Sequence, residues 1–276
     1  MSSKYLVKDI LKDITSTLAP CVHRASREAQ LLLMYHLNVD ELWLITNQDA
    51  HVKESDELLK LVQRRAKNEP LEYITSRVSF YSEEFFIAQG ALIPRPETEL
   101  LIDEVLKNIA DKNARLTIAE VGVGSGIISV MLAKFLPNAK IIAVDISEAA
   151  LGVAEKNIHL FGVGERVELR LGSFLEPINE QIDYLVSNPP YIANDAILET
   201  NLSYEPQNAL FGGVVGDEMI RELLDEALNR NINFFTCEIG YDQKDRILTY
   251  LKDKSFAEIE FYKDYSNFDR GFTLRL

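Results

Sequence analysis

Apolar positions in the first 68 residues recur at intervals of three and four. Ala25, Ala29, Leu32, Leu33, His36 and Leu37 share one helical face, and Leu58, Leu59, Val62 and Ala66 share another behind an acidic first turn. Residues 4–68 therefore read as helices, with His36 packed on its stripe rather than acting as a ligand. Over 72–93 the period changes. Tyr73, Ile74, Val78, Phe80, Tyr81, Phe85, Phe86 and Ile87 are aromatic or β-branched, which predicts a β-hairpin or extended connector. Pro94 and Pro96 punctuate the chain, and helical spacing returns over 97–110. From 117 onward, strand-length apolar runs alternate with helical segments. Strands are predicted at 117–121, 141–145, 167–171, 182–187, 233–239, 256–262 and 270–276, and helices at 126–136, 147–160, 217–230 and 242–253. Such alternation predicts an α/β fold with a mostly parallel seven-stranded sheet covered by helices. The polar linker 263–269 is too short for a helical crossover, so the last two strands should pair antiparallel. The expected organisation is a helical domain over 1–70, a β-hairpin or extended linker over 71–96 and the α/β domain over 97–276. Residues 189–216 follow a strand without periodicity, where functional loops tend to lie.

Composition narrows the partners. The 276 residues are 47% hydrophobic, enough to bury cores in two domains. The formal charge is −14 and unevenly spread: residues 1–90 hold 11 Lys and Arg against 13 Asp and Glu, leaving 18 against 30 in the remainder. A strongly acidic C-terminal portion repels phosphate backbones, whose binding needs several basic contacts that release counterions, so no direct nucleic-acid binding is expected. Cys21 and Cys237 are far apart without ligand-like neighbours and read as ordinary thiols in a reducing compartment; no metal site is expected. No stretch has membrane-spanning length and no apolar core follows a basic start, so the expectation is a cytoplasmic, soluble protein with no membrane partner.

The candidate chemistry lies at predicted strand ends. The first α/β strand runs through Glu120 into Gly122-Val123-Gly124-Ser125-Gly126. Glycines at this GxGxG spacing let backbone approach a ligand closely at a strand's carboxyl end. A dinucleotide site would want GxGxxG, and position 127 is Ile. The next strand ends in Asp145, placed to accept hydrogen bonds from ribose hydroxyls; taken alone it could equally cap the helix near Ser147. Glu120 is a candidate to hold a cationic part of the ligand or to stabilise the loop. Phe174, after Ser173, is a candidate to stack on a base or to join the core.

The most specific signal is Asn188-Pro189-Pro190-Tyr191 after the fourth strand. Two consecutive prolines fix φ twice and remove two N–H donors, so the turn should present backbone carbonyls and the Asn188 carboxamide oxygen as rigid acceptors, with Tyr191 adding a flat aromatic face. An NH2 group on an sp² carbon is a poor nucleophile because its lone pair is conjugated. Gripping its two N–H groups, one by Asn188 Oδ1 and one by the Pro189 carbonyl, orients the nitrogen and stabilises the positive charge that grows during attack. The turn alone does not separate glutamine from adenine or cytosine.

Taken with Glu69-Pro70-Leu71-Glu72-Tyr73-Ile74, Leu92-Ile93-Pro94-Arg95-Pro96-Glu97-Thr98-Glu99, Tyr204-Glu205-Pro206, Phe211-Gly212-Gly213, Glu238-Ile239-Gly240 and Asp269-Arg270, these runs resemble the peptide chain release factor glutamine methyltransferases, the HemK/PrmC family, over nearly the whole chain. The resemblance implies a Rossmann-like class I methyltransferase domain that uses S-adenosylmethionine and releases S-adenosylhomocysteine. It also implies methylation of the side-chain amide of the Gly-Gly-Gln loop glutamine in class 1 peptide chain release factors, gripped by the helical domain. On the same ground Glu120, Gly122, Val123, Gly124, Ser125, Gly126, Asp145, Phe174 and Asn188 would bind the cofactor. Asn188, Pro189, Pro190 and Tyr191 would bind the substrate, with Asn188, Pro189 and Tyr191 acting in catalysis. Arg95, Glu97 and Glu99 are further candidates for the cleft. The chain departs from the family pattern at Ser76 and Lys244, where glycines are common, and at Ser173, where the family usually has Asp. A ribosomal-protein glutamine methyltransferase would share the same turn, and so would an adenine-specific DNA methyltransferase. A non-catalytic module keeping the fold is disfavoured by the intact Gly122, Gly124, Gly126, Asp145 and Asn188.

Overall fold

A computed structural model describes residues 4–53 and 55–276 and divides the chain into two compact units. The first takes in the chain up to Arg77 together with Glu199–Tyr204, and the second comprises Val78–Leu198 and Glu205–Leu276.

In the first unit, β1 (Lys4–Leu6) leads into α1 (Val7–Leu18), α2 (Ala25–Leu37), α3 (Glu41–Thr46), β2 (His51–Lys53), α4 (Asp56–Ala66) and α5 (Leu71–Thr75). Its core is the set of apolar faces seen in the sequence: Ile10 and Ile14 of α1, Leu32 and Leu33 of α2, Leu58 and Val62 of α4. Ser55 caps α4, its hydroxyl accepting from Leu58 N–H at 3.2 Å and lying 3.0 Å from His36 Nε2. His36 is thus half-buried and hydrogen-bonded. Two features depart from the sequence reading. A short antiparallel ladder pairs β1 with β2 inside the stretch read as helical. Residues 71–75, read as part of an extended connector, form a helix because Ile74 reaches the unit's core and Ser76 ends the turn in the left-handed region at φ 56°. Burial at helical spacing overrides the β-propensity of Tyr73 and Ile74.

The second unit opens at Val78, within a hairpin of β3 (Arg77–Phe80) and β4 (Glu83–Phe86). Its turn residues Tyr81 and Ser82 both have positive φ, the geometry that matches the twist of a two-residue hairpin. There follow α6 (Thr98–Asn108), β5 (Thr117–Val121), α7 (Ile127–Phe135), β6 (Lys140–Asp145), α8 (Glu148–Leu160), β7 (Val167–Leu171), β8 (Tyr184–Ser187), β9 (Ile192–Ala193), β10 (Phe211–Gly213), α9 (Glu218–Asn229), β11 (Phe234–Glu238), α10 (Lys244–Leu251), β12 (Glu258–Lys263) and β13 (Asp269–Arg275). The seven-stranded sheet has the order β7-β6-β5-β8-β11-β13-β12. Its strands are parallel except β13, which runs antiparallel to β11 and β12 as the short linker requires.

Alternation along β5 sends Ile118 into one apolar layer with α6, α7 and α8, and Ala119 and Val121 into the other with α9 and α10. The stretch read as aperiodic over 189–216 contains β9 and β10, which pair in parallel. The strand order reverses between β5 and β8, so a crevice opens beyond their carboxyl ends.

Candidate active site

β5 runs into Gly122-Val123-Gly124-Ser125-Gly126, β6 into Asp145 and β8 into Asn188, and these ends line one cavity of about 150 Å³. The glycines differ in purpose. At Gly126 a Cβ would lie 3.0 Å from Ala154 Cβ of α8, so this position serves helix packing. Gly124, at φ 54°, has nothing within 4 Å of its missing Cβ, which leaves its backbone open to the cavity.

β6 pins this turn. Gly122 and Val123 N–H donate to the Val144 carbonyl at 2.9 and 3.1 Å. Asp145 accepts from Gly124 N–H at 2.9 Å on Oδ2 and from Ser147 N–H at 2.9 Å on Oδ1. Ser147, not Asp145, caps α8, its hydroxyl accepting from Ala150 N–H at 3.2 Å. Each Asp145 oxygen therefore makes one backbone bond and keeps acceptor capacity at the cavity wall. Burial raises its carboxyl above the ordinary value, against the bonds from Gly124 and Ser147.

Glu120 lies outside the cavity lining. It is fully buried, with the Ser129 hydroxyl of α7 donating to Oε2 and no partner for Oε1 among the described residues. Desolvation pushes its carboxyl up to about 8. Phe174, at φ 47°, lines the cavity beside Ser173, as does the half-exposed Ile146. The residues present fit an S-adenosyl group: open glycine backbone at one strand end, a carboxylate with spare acceptor capacity at the next, and apolar side chains for a base.

Beside the glycine turn, at the end of the paired strand β8, the lining continues as the Asn188 turn, whose carbonyl oxygen would lie 3.8 Å from a Cβ at Gly122. Asn188, Pro189 and Pro190 line the cavity, and Tyr191 does not. The Tyr191 ring packs against the core layer of α9 and α10, and its hydroxyl donates to Glu238 Oε1 at 3.3 Å. The flat aromatic face expected of Tyr191 is therefore turned into the fold. The acceptor cluster is also narrower than the sequence suggested. The Tyr191 carbonyl accepts from Gln243 Nε2 at 3.0 Å, and the Pro190 carbonyl faces Gly212, where a Cβ would sit 2.3 Å from its oxygen.

Asn188 Nδ2 donates to Thr98 Oγ1 at 3.1 Å, and Thr98 Oγ1 donates to Glu238 Oε2 at 2.8 Å. Glu238 is 1% exposed. Burial pushes its carboxyl up to about 7, opposed by the Thr98 bond, the Arg270 charge and the Tyr191 bond.

Arg95 lines the cavity and pairs with Glu205 Oε1 at 2.5 Å, whose Oε2 accepts from Ile93 N–H at 2.9 Å. Glu97 and Glu99 do not line it. Glu99 instead accepts from Tyr81 N–H at 2.7 Å and secures the hairpin. Sequence reasoning gave no role to Thr98, Glu205, Glu238, Gln243 or Ile146. Thr98 and Glu238 stand 140 positions apart, and no local spacing pairs them. The only signal was that Thr98, Glu205, Glu238 and Ile146, the last in Val144-Asp145-Ile146-Ser147, each fall inside a run shared with the resembled family.

Two family models match the chain: the PrmC N-terminal domain over residues 9–75 and the methyltransferase small domain over 96–205. The release factor glutamine methyltransferase of Clostridium acetobutylicum is 33% identical over 253 residues, covering 88% of each chain. That of Dictyoglomus turgidum is 38% identical over 250 residues, again covering 88% of each. Among solved structures, the catalytic domain of human Mettl16 in complex with an RNA hairpin has a TM-score of 0.60 at 12% identity, covering 82% of this chain and 84% of that one, a likeness of fold alone. The chain belongs to the release factor glutamine methyltransferase family, enzymes of class I methyltransferase fold that use S-adenosylmethionine.

Proposed function

We propose that the protein methylates the side-chain amide nitrogen of the glutamine in the Gly-Gly-Gln loop of class 1 peptide chain release factors, with the N-terminal helical unit gripping the factor. The observation that carries this reading is the Asn188 carboxamide in the cavity lining, at the strand end next to the glycine turn. Its nitrogen is engaged by Thr98 and its oxygen belongs to the end left for a substrate N–H. Asn188 Oδ1 and the Pro189 carbonyl accept the two N–H groups of the glutamine amide. Holding both hydrogens orients the nitrogen, and both acceptors bind more strongly as positive charge develops on it. S-adenosylmethionine supplies a methyl group already activated on a sulfonium, so the protein's task is alignment of the nitrogen and the methyl carbon at about 3 Å. Asp145 receives the ribose hydroxyls, Phe174 and Ile146 flank the base, and the Gly122–Gly126 turn admits the remainder. Tyr191 acts by bracing the turn through Glu238 rather than by touching the substrate. The acidic balance of the catalytic half favours a protein substrate over duplex DNA.

The test offers methyl-labelled S-adenosylmethionine with purified release factor, ribosomal proteins or duplex DNA in separate reactions, and locates the label by mass. Label on the loop glutamine of the release factor alone is the expected result. Label on DNA adenine or on a ribosomal protein in preference to the factor would replace this substrate with that one.

A further inference from the structure

We infer that Glu238 is a positioning residue that, acting through the Thr98 hydroxyl, sets which end of the Asn188 carboxamide faces the substrate. The inference rests on the reading of Asn188 as the acceptor for the substrate amide.

The order of donors and acceptors along this chain is fixed by one hydrogen. A threonine hydroxyl has one hydrogen. Thr98 gives it to Glu238 Oε2 at 2.8 Å, which leaves only lone pairs toward Asn188 at 3.1 Å. The carboxamide must then turn its NH2 to Thr98 and its Oδ1 away. A carboxylate at Glu238 enforces this order because it can only accept, from Thr98 on one oxygen and from the Tyr191 hydroxyl on the other. A protonated Glu238 can donate instead. If it gives its proton to Thr98 Oγ1, the threonine hydrogen turns toward Asn188. The carboxamide then satisfies Thr98 with Oδ1 and shows NH2 to the cavity, where it meets an N–H of the substrate rather than accepting it. The oxygen that should stabilise the growing charge is then on the wrong side.

The surroundings place this switch within reach of ordinary pH. Glu238 sits at the end of β11 and is fully buried. Arg270 of β13 favours its ionised form, while Glu97 before α6 disfavours it. The buried Tyr262 hydroxyl of β12 and the Cys237 thiol beside it interact with it electrostatically. Arg270 is shared with Asp264, which accepts from it at 2.9 Å, so its charge is only partly available to Glu238. Burial, the largest influence, pushes the carboxyl up to about 7. The ionised form is the ordering one, so turnover should rise as pH passes upward through that value and fall below it.

The experiment measures kcat with release factor at saturating S-adenosylmethionine between pH 6 and 8.5 for the wild type, Glu238→Gln, Thr98→Val and Thr98→Ser. Calorimetry gives the S-adenosylmethionine affinity of each. The wild type should lose turnover below about pH 7, and Glu238→Gln should lose that limb of the profile. Thr98→Val, which keeps shape and removes the hydroxyl, should lower kcat by up to about 100-fold, the scale of a misplaced reacting group. Thr98→Ser should restore most of it, and cofactor affinity should stay constant throughout. A pH limb that survives in Glu238→Gln would overturn the inference, as would Thr98→Val turning over at the wild-type rate. Should Glu238→Gln fail to fold, shown by absent cofactor binding, the Thr98 pair decides alone. Wild-type protein that transfers no methyl to release factor at any pH would instead remove the reading beneath, and this proposal with it. A titrating Glu120, beside the glycine turn, would appear in cofactor affinity and not in kcat at saturation.

Discussion

The two walls of the cavity are built in opposite ways. The wall of the glycine turn and Asp145 is local: one strand, one turn and the end of the neighbouring strand, joined by backbone bonds to Val144 and Asp145. The wall of the Asn188 turn is assembled from distant parts. Thr98 stands 90 positions away from Asn188 and Glu238 stands 140 from Thr98, while Gln243 ties the Tyr191 carbonyl from 52 positions away. A wall made of backbone around a ligand serves binding, where geometry needs room and a few acceptors. On the proposed reading, a wall whose single carboxamide is oriented by a buried hydroxyl and carboxylate serves turnover, where the direction of one oxygen matters.

If this contrast holds, substitutions on the two walls should fail differently. The largest effect belongs to Asn188→Ala, which should lower kcat by about 10²–10³, the 2.7–4 kcal/mol typical of a lost transition-state partner, while calorimetric cofactor affinity holds. Near-normal turnover would remove Asn188 from the chemistry. Next comes Asp145→Ala, which gives up hydrogen bonds to a charged acceptor. It should weaken cofactor binding by about 1.5–3 kcal/mol, roughly 10- to 100-fold in Kd. An unchanged Kd would take Asp145 out of the site. Gly212→Ala sharpens the contrast from behind the Asn188 turn. Its Cβ would meet the Pro190 carbonyl at 2.3 Å, and backbone must shift to relieve that. Stability should drop by roughly 1–3 kcal/mol in denaturant melts, with kcat reduced more than cofactor affinity. The smallest change is Glu99→Ala. It removes the acceptor of Tyr81 N–H at 2.7 Å, should lower stability by about 0.5–1.5 kcal/mol and should leave kcat untouched. A fall in kcat would return Glu99 to the cleft.

The same contrast explains what could be read from the sequence. The sheet was legible because β6 and β8 are near-continuous apolar runs buried on both faces and β5 is one broken by Glu120, and because a short linker forces β12 and β13 antiparallel. The glycine turn and Asp145 were legible because they are near neighbours in the chain. The Asn188 turn was visible as a proline-stiffened acceptor. Its supports were not, since Thr98 reads locally as the start of α6 and Glu238 as the end of a strand. The aromatic ring of Tyr191 looked free for the same reason: its partner Glu238 comes from the far end of the chain. Leu71–Thr75 misled by composition, because a β-prone pair was recruited into a helix by burial in the first unit.

The separation of binding from turnover is most directly tested by single-turnover methyl transfer to release factor as a function of S-adenosylmethionine concentration, in Asp145→Ala and Asn188→Ala side by side. The account predicts that Asp145→Ala recovers the wild-type rate once the cofactor saturates, while Asn188→Ala stays slow at every concentration. An Asp145→Ala enzyme that remains slow at saturation, or an Asn188→Ala enzyme rescued by more cofactor, would contradict it.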